Sequence, residues 1–178
     1  MVISKFIHIA AVCRRLGNFA TLTQIVVGLL SPLIIALKTT WQGLSSGDLR
    51  IWQELQELVN SRKNWSKMRQ EMDAAGNGVR QRGQGCIPFL GAATFLSELT
   101  LGIFMSDLVH VTSLPLSSGK IDFEGLRLRS AIVKKTLRLI ELAEGYDFEV
   151  EPEVGERCLW ITAFDEPMLS RLIAGLEC

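Results

Sequence analysis

The sequence has no excess of charge of either sign and few histidines. Its 178 residues include 19 Lys and Arg, 19 Asp and Glu and 2 His, so the formal net charge at pH 7 is zero. A chain without net charge creates no overall field that would concentrate nucleic acid, an anionic membrane or a charged metabolite. We therefore expect a local surface to select any partner, and we expect no nucleic-acid partner.

The sequence also lacks the residue spacings of a metal site or a covalent active site. Neither His8 nor His110 has a Cys, Asp or Glu at ligand spacing, and the four cysteines are far apart, at Cys13, Cys86, Cys158 and Cys178. Zinc sites need close pairs of Cys or His. We predict no metal ion, no cofactor and no covalent chemistry, and we expect reduced thiols in a cytoplasmic protein.

Uninterrupted hydrophobic runs of membrane-spanning length are absent. The apolar stretch over residues 25–37 is too short to span a bilayer, and Ser31-Pro32 predicts a break between two helices within it. The stretch over residues 87–111 contains Glu98 and Asp107, whose charges are costly in hydrocarbon without a partner. The sequence therefore predicts no direct insertion into a membrane.

Apolar residues recur at helical spacing through most of the chain. The pattern predicts helices over residues 2–16, 20–30, 32–41, 48–58 and 62–75. Asp48 is the expected N-cap of the fourth helix. Residues 76–86 are rich in Gly, Gln and Arg and predict a mobile loop, while residues 146–150 are the only candidate for an extended segment. The predicted fold class is all-α, with one domain over residues 1–178.

Two further helices are marked by their ends. Asp122 predicts the start of a long helix that Gly145 ends, and Asp165 with Pro167 predicts the start of a last helix. The residues expected to face inward are Phe123, Leu126, Val133, Leu137 and Ile140 on the long helix, and Met168, Leu169, Leu172 and Ile173 on the last. The long helix also carries Arg127, Arg129, Lys134, Lys135 and Arg138. These basic residues are spread around it, and we interpret them as a solvated face rather than a nucleic-acid surface.

Several local motifs occur together in one order. They are Lys5-Phe6-Ile7, Leu16-Gly17-Asn18-Phe19, Ser31-Pro32, Lys38-Thr39-Thr40-Trp41, Arg62-Lys63-Asn64-Trp65, Met68-Arg69, Ile87-Pro88-Phe89-Leu90-Gly91 and Ile121-Asp122-Phe123-Glu124. In these motifs the chain resembles the catalytic domain of Ras-type guanine nucleotide exchange factors. The resemblance implies an irregular, bowl-shaped helical bundle with a protruding helical hairpin, here within residues 91–144. Because the first motif lies at the start of the chain, we expect a partial domain without the family's earlier helices.

The resemblance also implies a function that requires no covalent bond. An exchange factor binds the nucleotide-free GTPase better than the loaded one, and this difference in affinity accelerates nucleotide release. The expected partner is a Ras-family small GTPase, and the expected device is the helical hairpin, inserted near the phosphate and magnesium site. Any recruitment to a membrane is expected to come through the GTPase.

Three residues are expected to bind the GTPase by resemblance. Phe89 and Trp65 would line an aromatic pocket that holds one switch region, and Asn18 would be a polar contact beside it. Buried aromatic side chains are commonly part of a core, and Asn18 could instead cap the helix that follows it. We favour the pocket.

The hairpin helix has two candidate segments, which are near repeats nine residues apart: residues 95–100 and residues 104–109. At about 100° per residue, this offset places equivalent side chains on opposite faces of one helix, so only one segment can be the wedge. The first keeps the family's short distance from Gly91. We select the second, because residues 111–120 then supply the hairpin turn.

The selected segment gives the exchange residues Phe104, Asp107, Val109 and Ser113. By resemblance, Val109 stands where the family has an apolar wedge residue, and Ser113 stands where an acidic residue is common. The loss of that acidic charge keeps a second hypothesis open. In it the chain is a degenerate, non-catalytic helical module that binds a GTPase or acts as a scaffold.

Overall fold

The computed structural model describes residues 2–60, 64–77, 85–90, 103–112, 122–149, 151–160 and 166–176. Ten α-helices lie in these ranges: α1 Val2–Arg15, α2 Phe19–Leu29, α3 Pro32–Ile35, α4 Lys38–Gln42, α5 Ser46–Leu58, α6 Ser66–Asn77, α7 Ile103–Thr112, α8 Phe123–Glu141, α9 Pro152–Leu159 and α10 Glu166–Leu176. In the described ranges β pairing is limited to an isolated bridge between Asn18 and Ile87. The predicted all-α class is confirmed.

The first half of the core forms where α1 packs against α2 and α5. On α1, Ile3, Ile7 and Ala10 are buried, as their helical spacing predicts. Phe6, which is part of the same apolar spacing, is exposed. The α1–α2 turn depends on Gly17, whose φ of +73° is in the left-handed region that favours glycine.

Two helix starts differ from the sequence prediction. The segment after Ser31 forms two short helices, α3 and α4, instead of one helix reaching Trp41. The N-cap of α5 is Ser45, whose hydroxyl accepts a hydrogen bond from the Asp48 backbone N–H at 3.1 Å. Asp48 therefore lies in the first turn, where the positive end of the helix dipole stabilises its carboxylate.

The second half of the core joins α6, α7 and α8. Helix α6 packs against α5 and α8, and α7 packs against α8. Arg14 on α1 reaches Glu71 on α6 with its Nη2 atom at 2.5 Å from Oε1 and its Nε atom at 3.0 Å from Oε2. This two-point ion pair connects the two halves, and the nearby carboxylates of Glu71 and Glu54 raise the pKa of Arg14.

The apolar stripe predicted to face inward on α8 is exposed. Its members Phe123, Leu126, Val133, Leu137 and Ile140 are all accessible to solvent, whereas Gly125 and Leu139 are the buried residues of this helix. Helical spacing identifies an apolar stripe but does not say which side the neighbouring helices cover. On α10 the same error affects Met168 and Leu172, which are exposed, while Ile173 is buried.

The predicted caps of the last helices have different outcomes. Asp122 is the N-cap of α8, since its Oδ1 atom accepts a hydrogen bond from the Gly125 backbone N–H at 2.9 Å. Helix α8 ends at Glu141 and a 3-10 turn, Leu142–Gly145, follows it. The helical segment therefore ends at Gly145, as predicted. Asp165 and residues 78–84 of the predicted loop lie outside the described residues, whereas Gly76 belongs to α6.

The segment over residues 85–90 runs beside the α1–α2 turn. The Ile87 backbone N–H donates to the Gly17 carbonyl at 2.9 Å, and the Phe19 N–H donates to the Ile87 carbonyl at 2.9 Å. The Tyr146 ring lies against Gly85 of this segment, and its phenol donates to the Leu16 carbonyl. These bonds fix a segment that has no helix of its own.

Gly85→Ala is expected to lower the free energy of unfolding by about 2 kcal/mol, because overpacking at a close contact is costly. A Cβ at this position would lie 2.5 Å from the Tyr146 ring and 2.8 Å from the Leu142 carbonyl oxygen. Urea unfolding measures the change. Gly28→Ala is the matched control, since nothing lies within 4 Å of a Cβ at this position in the last turn of α2. It should stabilise by about 0.5–1 kcal/mol, and equal effects of the two variants would contradict the close contact.

Candidate functional site

An aromatic pair is the first component of the site. The ring centroids of Trp65 and Phe89 are 5.2 Å apart, with 48° between the ring planes. Phe89 is buried, and Trp65 is half-buried at the edge of the same core. A tilted aromatic pair of this kind adds about 0.5–1.5 kcal/mol beyond its area burial. The two rings predicted to share a pocket are therefore in contact.

The backbone before α6 has an unusual conformation at this pair. Asn64 and Trp65 have φ angles of +50° and +55°. The left-handed region costs a bulky residue roughly 1–2 kcal/mol. The Arg69 guanidinium contacts this segment, since its Nε atom donates to the Asn64 carbonyl at 2.9 Å and its Nη2 atom donates to Asn64 Oδ1 at 3.0 Å. Backbone strain that persists against such a cost is concentrated at functional sites.

Asn18 lies close to the pair through the backbone of residues 85–90. It forms the β-bridge with Ile87, two residues before Phe89. Its side chain is also the N-cap of α2, with Oδ1 accepting from the Thr21 backbone N–H at 3.0 Å. The capping role that the sequence left open is therefore present, and Asn18 remains partly accessible beside the segment that carries Phe89.

Three of the four predicted exchange residues lie on α7, where they occupy two different faces. Phe104 is 4% exposed and lies under Lys135 of α8, whose Nζ atom is 5.9 Å from the ring centroid. Asp107 forms an ion pair with Arg69 of α6. Val109 is 45% exposed and Met105, one turn earlier, is 50% exposed. Ser113 and the alternative segment over residues 95–100 lie outside the described residues.

A comparison with known protein families gives one match to this chain. Residues 1–127, more than half of the chain, match the RasGEF domain family. The chain belongs to the RasGEF domain family. The match ends within α8, so most of α8 and the whole of α9 and α10 lie beyond it.

Curated relatives extend over nearly the whole chain at low identity. The guanine nucleotide exchange factor LTE1 of Saccharomyces cerevisiae is 26% identical over 171 residues, which cover 96% of this chain and 11% of that protein. The Ral guanine nucleotide dissociation stimulator-like 2 of Canis lupus familiaris is 27% identical over 191 aligned residues, covering 99% of this chain and 24% of that protein. The cell division control protein 25 of Candida albicans is 27% identical, covering 86% of this chain and 10% of that protein. The chain thus spans a quarter or less of each of these relatives.

Arg69 is the residue of the site that the sequence did not single out. It occurs in the Met68-Arg69 motif, but a motif does not name the partners of a side chain. The partners, Asn64, Ile103 and Asp107, are up to 38 residues away in the sequence. An arginine and an aspartate far apart in sequence carry no local signal of their contact.

The described part of the RasGEF domain has no group of His, Cys, Asp or Glu that could hold a metal ion. In the same residues no helix is long and apolar enough to cross a membrane. Cys13, Cys86 and Cys158 are free thiols.

The free energy of unfolding should fall at alkaline pH, mainly because of Cys86 and Tyr146, which lie in and beside the segment over residues 85–90. Burial raises the pKa of the Cys86 thiol from 9.0 to about 11. Burial, together with the neighbouring Cys86 and Cys13, raises the pKa of Tyr146 from 10.0 to about 12. The unfolded chain loses both protons at lower pH than the folded chain, so the free energy of unfolding falls as the pH rises from about 9 towards 12.

Urea unfolding at a series of pH values tests this dependence. Tyr146→Phe should be less stable at neutral pH, because it lacks the hydrogen bond to the Leu16 carbonyl. It should also lose stability less steeply as the pH rises, since one of the two titrating groups is absent. The same alkaline slope in the variant and the parent chain would rule out a contribution from Tyr146.

Proposed function

We propose that this RasGEF domain binds a Ras-family small GTPase and accelerates the release of its guanine nucleotide. The observation that supports the proposal best is the position of α7. One face of this helix is fixed by Phe104 and Asp107, and the opposite face presents Met105 and Val109 to solvent. Large exposed apolar side chains on a helix that is fixed from behind are typical of a protein-binding surface.

The proposed mechanism separates holding from displacement. Trp65 and Phe89 hold one switch region of the GTPase, as aromatic residues do at the centre of interfaces, and Asn18 adds a polar contact. Val109 on α7 then enters the space next to the phosphate and magnesium site. Its contacts form only when the nucleotide has left, so the domain favours the nucleotide-free state and lowers the barrier to release.

Ser113 follows α7 and completes the proposed set of exchange residues. A serine hydroxyl carries no charge, so it does not repel the phosphates of the nucleotide as a carboxylate would. In this proposal the displacement therefore depends mainly on the apolar side chain of Val109. The domain acts without covalent chemistry and without a cofactor of its own.

The names of the relatives support the same activity. LTE1 is a guanine nucleotide exchange factor, and the canine relative is a guanine nucleotide dissociation stimulator-like protein.

We propose a cytoplasmic location with access to membranes through the bound GTPase, since the three described cysteines are free thiols and thiols persist in reducing compartments.

The decisive experiment measures release of a fluorescent guanine nucleotide from a panel of Ras-family GTPases, with and without the 178-residue chain. The assay is repeated at low and at normal magnesium concentrations. Faster release from at least one GTPase is the expected result. A folded chain that binds a nucleotide-free GTPase without accelerating release would instead identify the binding-only module, and the absence of both effects would contradict the proposal.

A further inference from the structure

The Arg69 side chain connects three parts of the site. From α6 it donates to the Asn64 carbonyl and side chain, as described above, and its Nη2 atom donates to the Ile103 carbonyl at 3.2 Å. Its Nη1 and Nη2 atoms lie 2.6 and 2.9 Å from the two carboxylate oxygens of Asp107. One guanidinium thus contacts both the strained backbone before Trp65 and the first two turns of α7.

We propose that Arg69 is a positioning residue that fixes α7 relative to the aromatic pair. The planar fork of arginine presents several N–H donors in fixed directions, which a lysine ammonium cannot do. The ion pair is partly buried, with Arg69 22% and Asp107 30% exposed, so solvent screens it less than a surface pair. Its role in exchange rests on the proposed function.

Helix α6 also forms an ion pair with α8, on which α7 packs. Asp73 Oδ1 is 2.5 Å from Nζ of Lys135, whose ammonium also lies near the Phe104 ring. Both side chains of this pair are more than 40% exposed, so it contributes little on its own. Direct polar contact between α6 and α7, among the described residues, is made by Arg69.

The position of α7 matters because Asp107 and Val109 lie on the same helix. Asp107 faces α6, and Val109 faces solvent two residues later. Movement of α7 away from Arg69 would therefore move Val109 relative to Trp65. A displacement of this kind leaves the first contact with the GTPase intact but weakens the step in which the nucleotide leaves.

Arg69→Lys tests the proposal, because it keeps the charge and removes the fork. In the 178-residue chain alone, hydrogen–deuterium exchange of residues 103–112 should become about tenfold faster, while α1, α2 and α5 keep their protection. In the release assay, kcat should fall about tenfold and KM should change by less than about threefold. Lys67→Gln on the same helix is the matched control, since it removes an exposed ion pair with Glu57 and should change none of these values.

Each outcome of the experiment has a definite meaning. Unchanged protection of residues 103–112 in Arg69→Lys would overturn the proposal. A loss of protection across every helix, with kcat and KM worsening together, would also overturn it, because Arg69 would then support the fold in general. If the parent chain failed to accelerate release, the proposed function would fail, and hydrogen–deuterium exchange would still decide whether Arg69 fixes α7.

Discussion

Val109→Lys is expected to lower the rate of nucleotide release stimulated by this RasGEF domain by about a hundredfold, because losing a central interface contact costs about 2–4 kcal/mol. Two effects act in the same direction. The ammonium must be desolvated in an apolar contact, and a cation next to the phosphate site favours the nucleotide-loaded GTPase. The variant therefore removes the difference in affinity on which exchange depends.

Val133→Lys is the matched control for this prediction. Val133 is a valine on α8 with 42% exposure, close to the 45% of Val109. Both positions are exposed and helical, so the two substitutions should have similarly small effects on the free energy of unfolding. A fluorescent nucleotide release assay compares the rates. If Val109→Lys retained the parent rate, or if the two variants lost activity equally, Val109 would not be the wedge residue.

The features that the sequence predicts well are those with local causes. The Asp122 cap is an example, because its carboxylate reaches an N–H only three residues later. The end of the first helix before Gly17 is another, since a residue without a side chain can adopt a left-handed φ at little cost. Both depend on neighbours along the chain, and helical spacing depends on them too. The all-α class was predictable for this reason.

Long-range geometry was not predictable from spacing. Tyr146 contacts Leu16 across 130 residues, and Arg69 contacts Asp107 across 38. The exposed stripe on α8 shows the same limit, because its apolar residues have the spacing of a buried face. Burial depends on which helices pack beside α8, and the Leu126 side of the helix is not the side that α6 and α7 cover.

The candidate site depends both on features with local causes and on long-range contacts. The proximity of Trp65 and Phe89 was expected from the family resemblance, since the two residues are 24 positions apart and no local rule joins them. The choice between residues 95–100 and residues 104–109 as the exchange segment stays a prediction, as does the helical hairpin. Asp107 has a partner on α6, which places the second segment on a fixed helix, whereas the first segment lies outside the described residues.

Trp65→Ala is expected to weaken binding to a nucleotide-free GTPase by about thirtyfold to a hundredfold, because a central aromatic contact at an interface contributes about 2–3 kcal/mol. Trp65 has the properties of such a contact. Its ring is half-buried and packs against Phe89, and its backbone keeps a left-handed φ of +55°. A half-buried ring that is supported from behind can contact a partner at little further cost in side-chain entropy.

Trp160→Ala is the matched control for Trp65→Ala, because Trp160 follows α9 and is 82% exposed. Loss of this indole should leave the affinity unchanged, although the same type of side chain is removed. The dissociation constant for a nucleotide-free GTPase is measured for the parent chain and both variants, with urea unfolding as a check on the fold. Equal affinities of the parent chain and Trp65→Ala would show that the aromatic pair serves only the core. A selective loss in Trp65→Ala, at a free energy of unfolding that still keeps the chain folded, would assign the pair to GTPase binding.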